Sequence, residues 1–363
     1  TTTPSMALHV ERLILSYLQT QQDVAYRTGI REFAIIPRLR ISFVTTTSNS
    51  ASGFVKILRT ETLSHSSRYN KVMKSILILT ACIFFINNTN AADYPVRWQI
   101  TAGMANPESS YYDAESGFLF LSHVNGPGKE KDGNGYISKI TLKGKTVKEK
   151  WFTGLDAPKG LRSHDGTLWI SDIDTVVAVD IATGKEVSRH VIKDAGFLND
   201  LATDSNGVVY ISDMLNSRIY QIKAEQVSIF AEGPHLEHPN GLLAVGNKLY
   251  CGGWGTDLDP ATFTTKELGR FFYIDIETKE KHLITEKPTG HLDGIEIDGK
   301  GGFFLTDWIA GTVMHICSHG NVTEIMKYEK GSADLAYLPR KKLLILPHMN
   351  DNTLTAFRVV PKH

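Results

Sequence analysis

One short segment returns six times along this chain. Reading from a fixed slot residue, the copies run PESSYYDAESGFLFLSH around Glu108, PKGLRSHDGTLWISD around Lys159, LNDLATDSNGVVYISD around Asn199, PNGLLAVGNKLYCGG around Asn240, LDGIEIDGKGGFFLTD around Asp293 and SADLAYLPRKKLLILPH around Ala333. Each copy holds a short apolar strand, a turn signal such as DSNG or DGKG, and an alternating aromatic and aliphatic strand. A third strand such as RIYQI or FFYID follows. The slots recur at intervals of about 40 to 53 residues, near the ~40–50 residue period of four-stranded propeller blades. The two longer intervals contain insertions, GPGKEKDGNG in the first and GTDLDPATFTTKELG in the fourth. Sheets that cannot cover their own apolar faces stack radially, each blade covering its neighbour. The expectation is therefore an all-β chain, a six-bladed β-propeller with a central metal site. The YPVRWQI run ahead of the first slot is expected to add a strand to the last blade and latch the ring. A sandwich offers no reason for a slot to recur.

The segment before the repeats reads differently. Met73-Lys74 followed by SILILTACIFFI is a short positive start with an apolar stretch, and Thr89-Asn90-Ala91 supplies small residues for cleavage, so 73–91 is expected to be a signal peptide. The propeller then spans 92–363, and 1–72 is expected to be a disordered leader or an over-extended start. This predicts an exported protein, periplasmic or secreted. The alternative is a lipoprotein anchored at Cys82, since Leu79-Thr80-Ala81-Cys82 matches a lipid-processing box. The apolar run falls short of the ~20 residues that span a bilayer, so no membrane span is expected.

Composition excludes some partners. The 39 basic and 39 acidic residues cancel, so bulk electrostatics offers no footprint for nucleic acid. Cys251 and Cys317 fall in different blades, in no metal or redox spacing, and read as free thiols. The expected partner is a small-molecule substrate bound by a monomer.

In a propeller the innermost strands surround the axis, so equivalent residues at their starts converge as a ring at one end of the central channel. Here the ring reads Glu108, Lys159, Asn199, Asn240, Asp293, Ala333. Two carboxylates and two amide oxygens are hard ligands, suited to one Ca²⁺, with other divalent metals possible. Zinc is disfavoured because the slot holds neither His nor Cys. Taken singly, Asn240-Gly241 and Asp293-Gly294 read as tight turns. The register argues otherwise, since the turns of these blades fall further on, at DSNG and DGKG.

These residues resemble the SMP-30/gluconolactonase/LRE-like family of six-bladed calcium propellers, related to paraoxonases and diisopropylfluorophosphatase. The likeness runs from Asn106 to Arg358 and rests on Pro107-Glu108, Asn199-Asp200, Pro239-Asn240-Gly241-Leu242 and Asp293-Gly294. It implies that Glu108, Asn199, Asn240 and Asp293 are the metal ligands. It also implies a calcium-dependent hydrolase of lactones or esters, or of phosphotriesters, with Asp293 as base or nucleophile. Regucalcin-like members carry an arginine two residues before the first Asn to meet a sugar acid. Phe197 stands there instead, which argues against a sugar lactone.

Two further rings are expected to shape a pocket. Two residues before the slot stand Phe197, His238 and His291. About fourteen residues after it stand His123, Asp172, Asp213, Asp307 and His348, with Trp254 and Trp308 close by. Lys159, Phe197, His238, His291, Trp254, Trp308, His123 and His348 are the expected substrate-binding set. The Ser-Asp and Thr-Asp pairs at 171–172, 212–213 and 306–307 are expected to bond to backbone at strand ends. Two other function classes stay open. The SDMLNSRIYQI segment resembles NHL-type propellers, which suggests a non-catalytic ligand- or protein-binding propeller with a structural calcium. Strictosidine synthase-like propellers share the architecture without the metal set.

Overall fold

A computed structural model of the chain describes residues 94–361. The expected signal peptide, the upstream segment 1–72 and Cys82 lie outside the described residues. Within them the chain forms six four-stranded antiparallel sheets and almost no helix. No helix among the described residues is long and apolar enough to cross a membrane.

Five blades are built from consecutive strands, with inner strands Pro107–Asp113, Pro158–His164, Leu198–Thr203, Pro239–Val245 and Leu292–Ile297. The sixth blade combines Ala336–Leu338, Leu343–His348 and Thr353–Arg358 with Val96–Ile100 from the other end of the repeat region. That outer strand pairs Trp98 with Ala356 and Ile100 with Leu354, so the YPVRWQI run closes the ring as its position suggested. The fourth-blade insertion forms a two-stranded ribbon, Gly255–Thr256 against Glu267–Leu268.

The core is distributed as one apolar cluster between each pair of neighbouring blades. Phe120, Ile137, Leu161 and Ile170 join blades one and two. Tyr210, Ile219, Leu242 and Phe272 join three and four, and Leu119, Ile140, Ile345 and Leu354 close six against one. The alternation seen in the sequence thus buries both faces of every blade, leaving the outermost strands to expose residues such as Val187 and Val191. Truncating one buried ring, such as the fully buried Phe304 between blades five and six, to alanine costs about 3–5 kcal/mol.

Candidate functional site

Five of the six inner strands begin with the same irregularity. Pro107 pairs with His123 but Ser110 pairs with Leu121, so Glu108 and Ser109 face one residue, Ser122. The same two-against-one bulge encloses Lys159-Gly160, Asn199-Asp200, Asn240-Gly241 and Asp293-Gly294. A bulge bends its strand and re-aims side chains, which places residues with unusual directions at strand ends. Its loose amide is held by a neighbouring hydroxyl. Ser109 N donates to Ser122 Oγ at 2.8 Å, Asp200 N to Ser212 Oγ at 2.9 Å and Gly294 N to Thr306 Oγ1 at 2.7 Å. The Asn-Gly and Asp-Gly pairs are therefore strand residues and not turns. Their glycines allow close blade contact: a Cβ on Gly241 would lie 1.6 Å from the Asp293 carbonyl oxygen.

All four oxygen-bearing slot residues are buried, Glu108 at 6 %, Asn199 at 7 %, Asn240 at 1 % and Asp293 at 3 % exposure. Asn240 Nδ2 donates to Asp293 Oδ1 at 3.2 Å across the boundary between blades four and five. Glu108 Oε2, Asn199 Oδ1 and Asn240 Oδ1 are buried without a hydrogen-bond partner in the protein. An orphaned buried polar atom costs about 1–3 kcal/mol. Three such oxygens on three inner strands at one register level are a costly arrangement for the fold alone. Burial, reinforced by Asp293 and Asp334, pushes the Glu108 carboxyl well above the usual carboxylate range. Burial, with Asp334 and Asp200, does the same to Asp293. The donor set suits a hard cation: two carboxylates to offset the charge and two amide oxygens to complete a shell. Among the described residues no group of three or more His, Cys, Asp or Glu side chains is arranged to hold a metal, in keeping with a set that is half amide.

The other two ring positions are not ligands. Ala333 is apolar and fully buried. Lys159 is buried and does not reach solvent. Its Nζ donates to Ala157 O at 2.8 Å and Gly128 O at 3.2 Å, over the face of Phe197 at 4.4 Å. Burial lowers its pKa to about 8, against the pull of Glu108 and Asp172.

Five of the expected pocket residues come together at the rim. Phe197, Met214 and Trp254 form an apolar cluster with Phe263 and Trp308 packed against it. His291 stands edge-on to Trp254 at 5.2 Å, with its Nε2 3.1 Å from Thr265 Oγ1 of the insertion. His238 donates from Nδ1 to Met214 O at 2.7 Å, leaving Nε2 as the nitrogen available to a ligand. The two insertions meet above this wall: Lys129 Nζ donates to Pro260 O at 3.0 Å and sits 4.3 Å from the Phe263 ring.

His123 and His348 belong elsewhere. In blades two and three the corresponding aspartates accept backbone amides, Asp172 from Asp156 and Ala157, Asp213 from Gly196 and Phe197. His123 takes over that bracing task, accepting from Ala105 N at 3.3 Å while Nε2 meets Ser138 Oγ at 2.9 Å. It is fully buried and stacked on Tyr136, and burial lowers its pKa to about 3. His348 packs edge-on against Tyr328, its pKa lowered to about 4 by burial. His123 is thus a bracing residue of its strand end, and His348 is held against Tyr328.

Sequence reasoning missed a polar layer directly beneath the slot. Asp200 accepts from Leu201 N and Leu242 N, both at 2.7 Å. Asp334 accepts from Ser109 Oγ at 2.6 Å and pairs with Arg162 at 3.3 Å. The signal was available, since these residues sit one and three places past the slot in their copies. A separate cavity of about 310 Å³ lies at the outer edge of blade five, lined by Phe304, His315, Met326 and Val359 among others, and includes no slot residue.

No protein-family model matches the chain, and no curated protein matches it. Solved structures do. A gluconolactonase from Xanthomonas campestris is similar with a TM-score of 0.54 at 15 % identity, covering 75 % of this chain and 91 % of that one. A catalytically inactive histidine-to-alanine variant of virginiamycin B lyase from Staphylococcus aureus, solved with quinupristin, gives 0.51 at 12 %, covering 74 % and 100 %. A streptogramin B lyase gives 0.50 at 11 %, covering 74 % and 98 %. At these identities the likeness is one of fold, and the chain is a six-bladed β-propeller.

Proposed function

We propose that the protein is a calcium-dependent hydrolase acting on a lactone or ester, with Glu108, Asn199, Asn240 and Asp293 holding the ion. The observation that carries this reading is the set of three buried, unpartnered oxygens on three inner strands, Glu108 Oε2, Asn199 Oδ1 and Asn240 Oδ1. A bound Ca²⁺ would supply charge to polarise the substrate carbonyl and to stabilise the oxyanion. Similarity of fold to a gluconolactonase supports a hydrolytic propeller without fixing the substrate.

The chain's own residues define the rest. Asn240 Nδ2 binds one Asp293 oxygen and fixes the carboxylate plane, which leaves the other oxygen to take a proton from water or to attack the carbonyl carbon. Lys159, tied to two carbonyl oxygens, acts on Glu108 through its charge rather than on substrate. Phe197, Trp254, Trp308 and Phe263 form an apolar wall, which suits a hydrophobic acyl or alkyl group better than a polyol. His238 and His291, at the edge of that wall, are placed to donate to or accept from the leaving oxygen. The 73–91 leader supports export, to a compartment where weak calcium sites fill.

A panel of lactones, aryl esters and phosphotriesters, assayed with calcium and with chelator, tests the proposal. Turnover that needs calcium and falls by at least a hundredfold in Asp293→Asn is the expected result. Calcium binding without turnover on any class would instead favour a non-catalytic binding propeller.

A further inference from the structure

Arg162 is buried at 5 % exposure, three places past its slot on the inner strand of blade two. Its Nη1 lies 3.3 Å from Asp334 Oδ2 of blade six and donates to its neighbour Leu161 O at 2.7 Å, while Nη2 donates to Leu242 O of blade four at 3.4 Å. The guanidinium therefore reaches from blade two to blades four and six. Asp200 of blade three completes the layer through Leu242 N, and Ser109 of blade one through Asp334. Five of the six blades meet in this one arrangement.

Carboxyl groups outnumber cations in the layer. Asp200 and Asp334 are buried, and Glu296, half-buried, stands at the same register level as Arg162 on blade five. Three carboxyl groups thus stand in a layer with one guanidinium, which pairs with Asp334 alone. The excess has spare coordination capacity as well, because Asp334 Oδ1 is buried without a partner although its residue is only 1 % exposed. Without the guanidinium, these carboxyl groups and the unfilled Asp334 oxygen would offer hard ligands to a divalent cation.

We infer that Arg162 is the channel's own cation, holding the place beneath the slot that a second divalent ion would otherwise take and so confining the protein to one. A guanidinium is permanently charged and planar, so it can satisfy Asp334 and two backbone carbonyls at once, which a lysine ammonium cannot do in the same geometry. The inference rests on the slot-ring reading for the first ion and adds a residue that sets how many ions the channel holds. A merely structural tie would leave that number unchanged.

Calcium stoichiometry, measured by calorimetric titration and by metal analysis after equilibrium dialysis, tests it. The wild type is expected to bind one equivalent and Arg162→Met two. Arg162→Lys, which keeps the charge, is expected to stay at one, and Arg162→Met/Asp334→Asn to return to one. Arg162→Met is also expected to melt well below wild type in chelator and to recover in millimolar calcium by a larger shift than wild type shows. The same number of equivalents in Arg162→Met as in wild type overturns the inference, as does a variant that calcium does not restore. Failure of the slot-ring reading is separately visible as a wild type that binds no ion, in which case one equivalent in Arg162→Met would still support the role of Arg162.

Discussion

Replacing Asn199 with leucine should make the calcium-free protein more stable and the calcium-loaded protein less so. Asn199 Oδ1 is buried and unpartnered, a state that costs about 1–3 kcal/mol. Leucine has the same branched outline, though a larger volume, and presents no acceptor. For a body of this size each kcal/mol moves the melting temperature by about 2–4 °C, so Asn199→Leu in chelator should melt about 2–12 °C above wild type. Calcium at a hundredfold excess over its Kd stabilises wild type by ~2.7 kcal/mol. Loss of even a supporting partner weakens metal affinity by roughly 10–100-fold. At the same calcium the variant would then gain only about 0.4–1.4 kcal/mol. Differential scanning fluorimetry with and without chelator reads both effects. A variant that melts below wild type in chelator, or that gains as much from calcium, refutes the claim that this oxygen is held unpaired for a cation.

Two further outcomes follow from the buried charges and the tight inner strands. Burial, and then the Asp334 carboxylate, push Asp200 up to about 8. Burial pushes Glu296 up to about 8, despite Arg162. An unfolded carboxylate titrates near ~4, so between about pH 4 and 8 the native state holds protons that the unfolded state has released, and stability falls as pH rises through that window. Melting temperature in chelator should therefore drop from pH 5 to 8 and flatten in saturating calcium; a rise in chelator over that range contradicts the assignment. Gly241→Ala would place a Cβ 1.6 Å from the Asp293 carbonyl oxygen, an overlap that backbone cannot relieve cheaply. It should cost at least the ~1–3 kcal/mol typical of overpacking and weaken calcium binding, both readable from melting curves with and without the ion; an unchanged melting temperature would show that blades four and five are not in such close contact.

Much of this architecture was legible in the sequence because a propeller repeats its grammar. Six returns of one slot gave the blade count, and YPVRWQI, lying outside the repeats, had one place to go, beside Thr353–Arg358. The direction of the slot side chains depends on bulges that follow hydrogen-bond register, which apolar alternation does not encode. His123 was misplaced for a related reason: a histidine in an aspartate position looks like chemistry, but its ring nitrogen accepts the same loop amide as the carboxylate it replaces. Lys159 was expected among the substrate-binding residues, and apolar alternation could not show that its ammonium is bonded to the Ala157 and Gly128 carbonyl oxygens. Arg162 went unread because it differs from its counterparts in the other copies, whereas Asp200 and Asp334 stand one place past the slot in two copies, a polar recurrence that apolar alternation does not pick out.

The central claim is that side chains from four separate blades share one ion. A crystal of the protein grown or soaked with calcium, or with terbium for its anomalous signal, tests it most directly. The account predicts a single strong peak within ~2.3–2.6 Å of oxygens from Glu108, Asn199, Asn240 and Asp293. An ion bound elsewhere, or no ion at saturating concentration with Asn199 and Asn240 hydrogen-bonded to other groups, would contradict it.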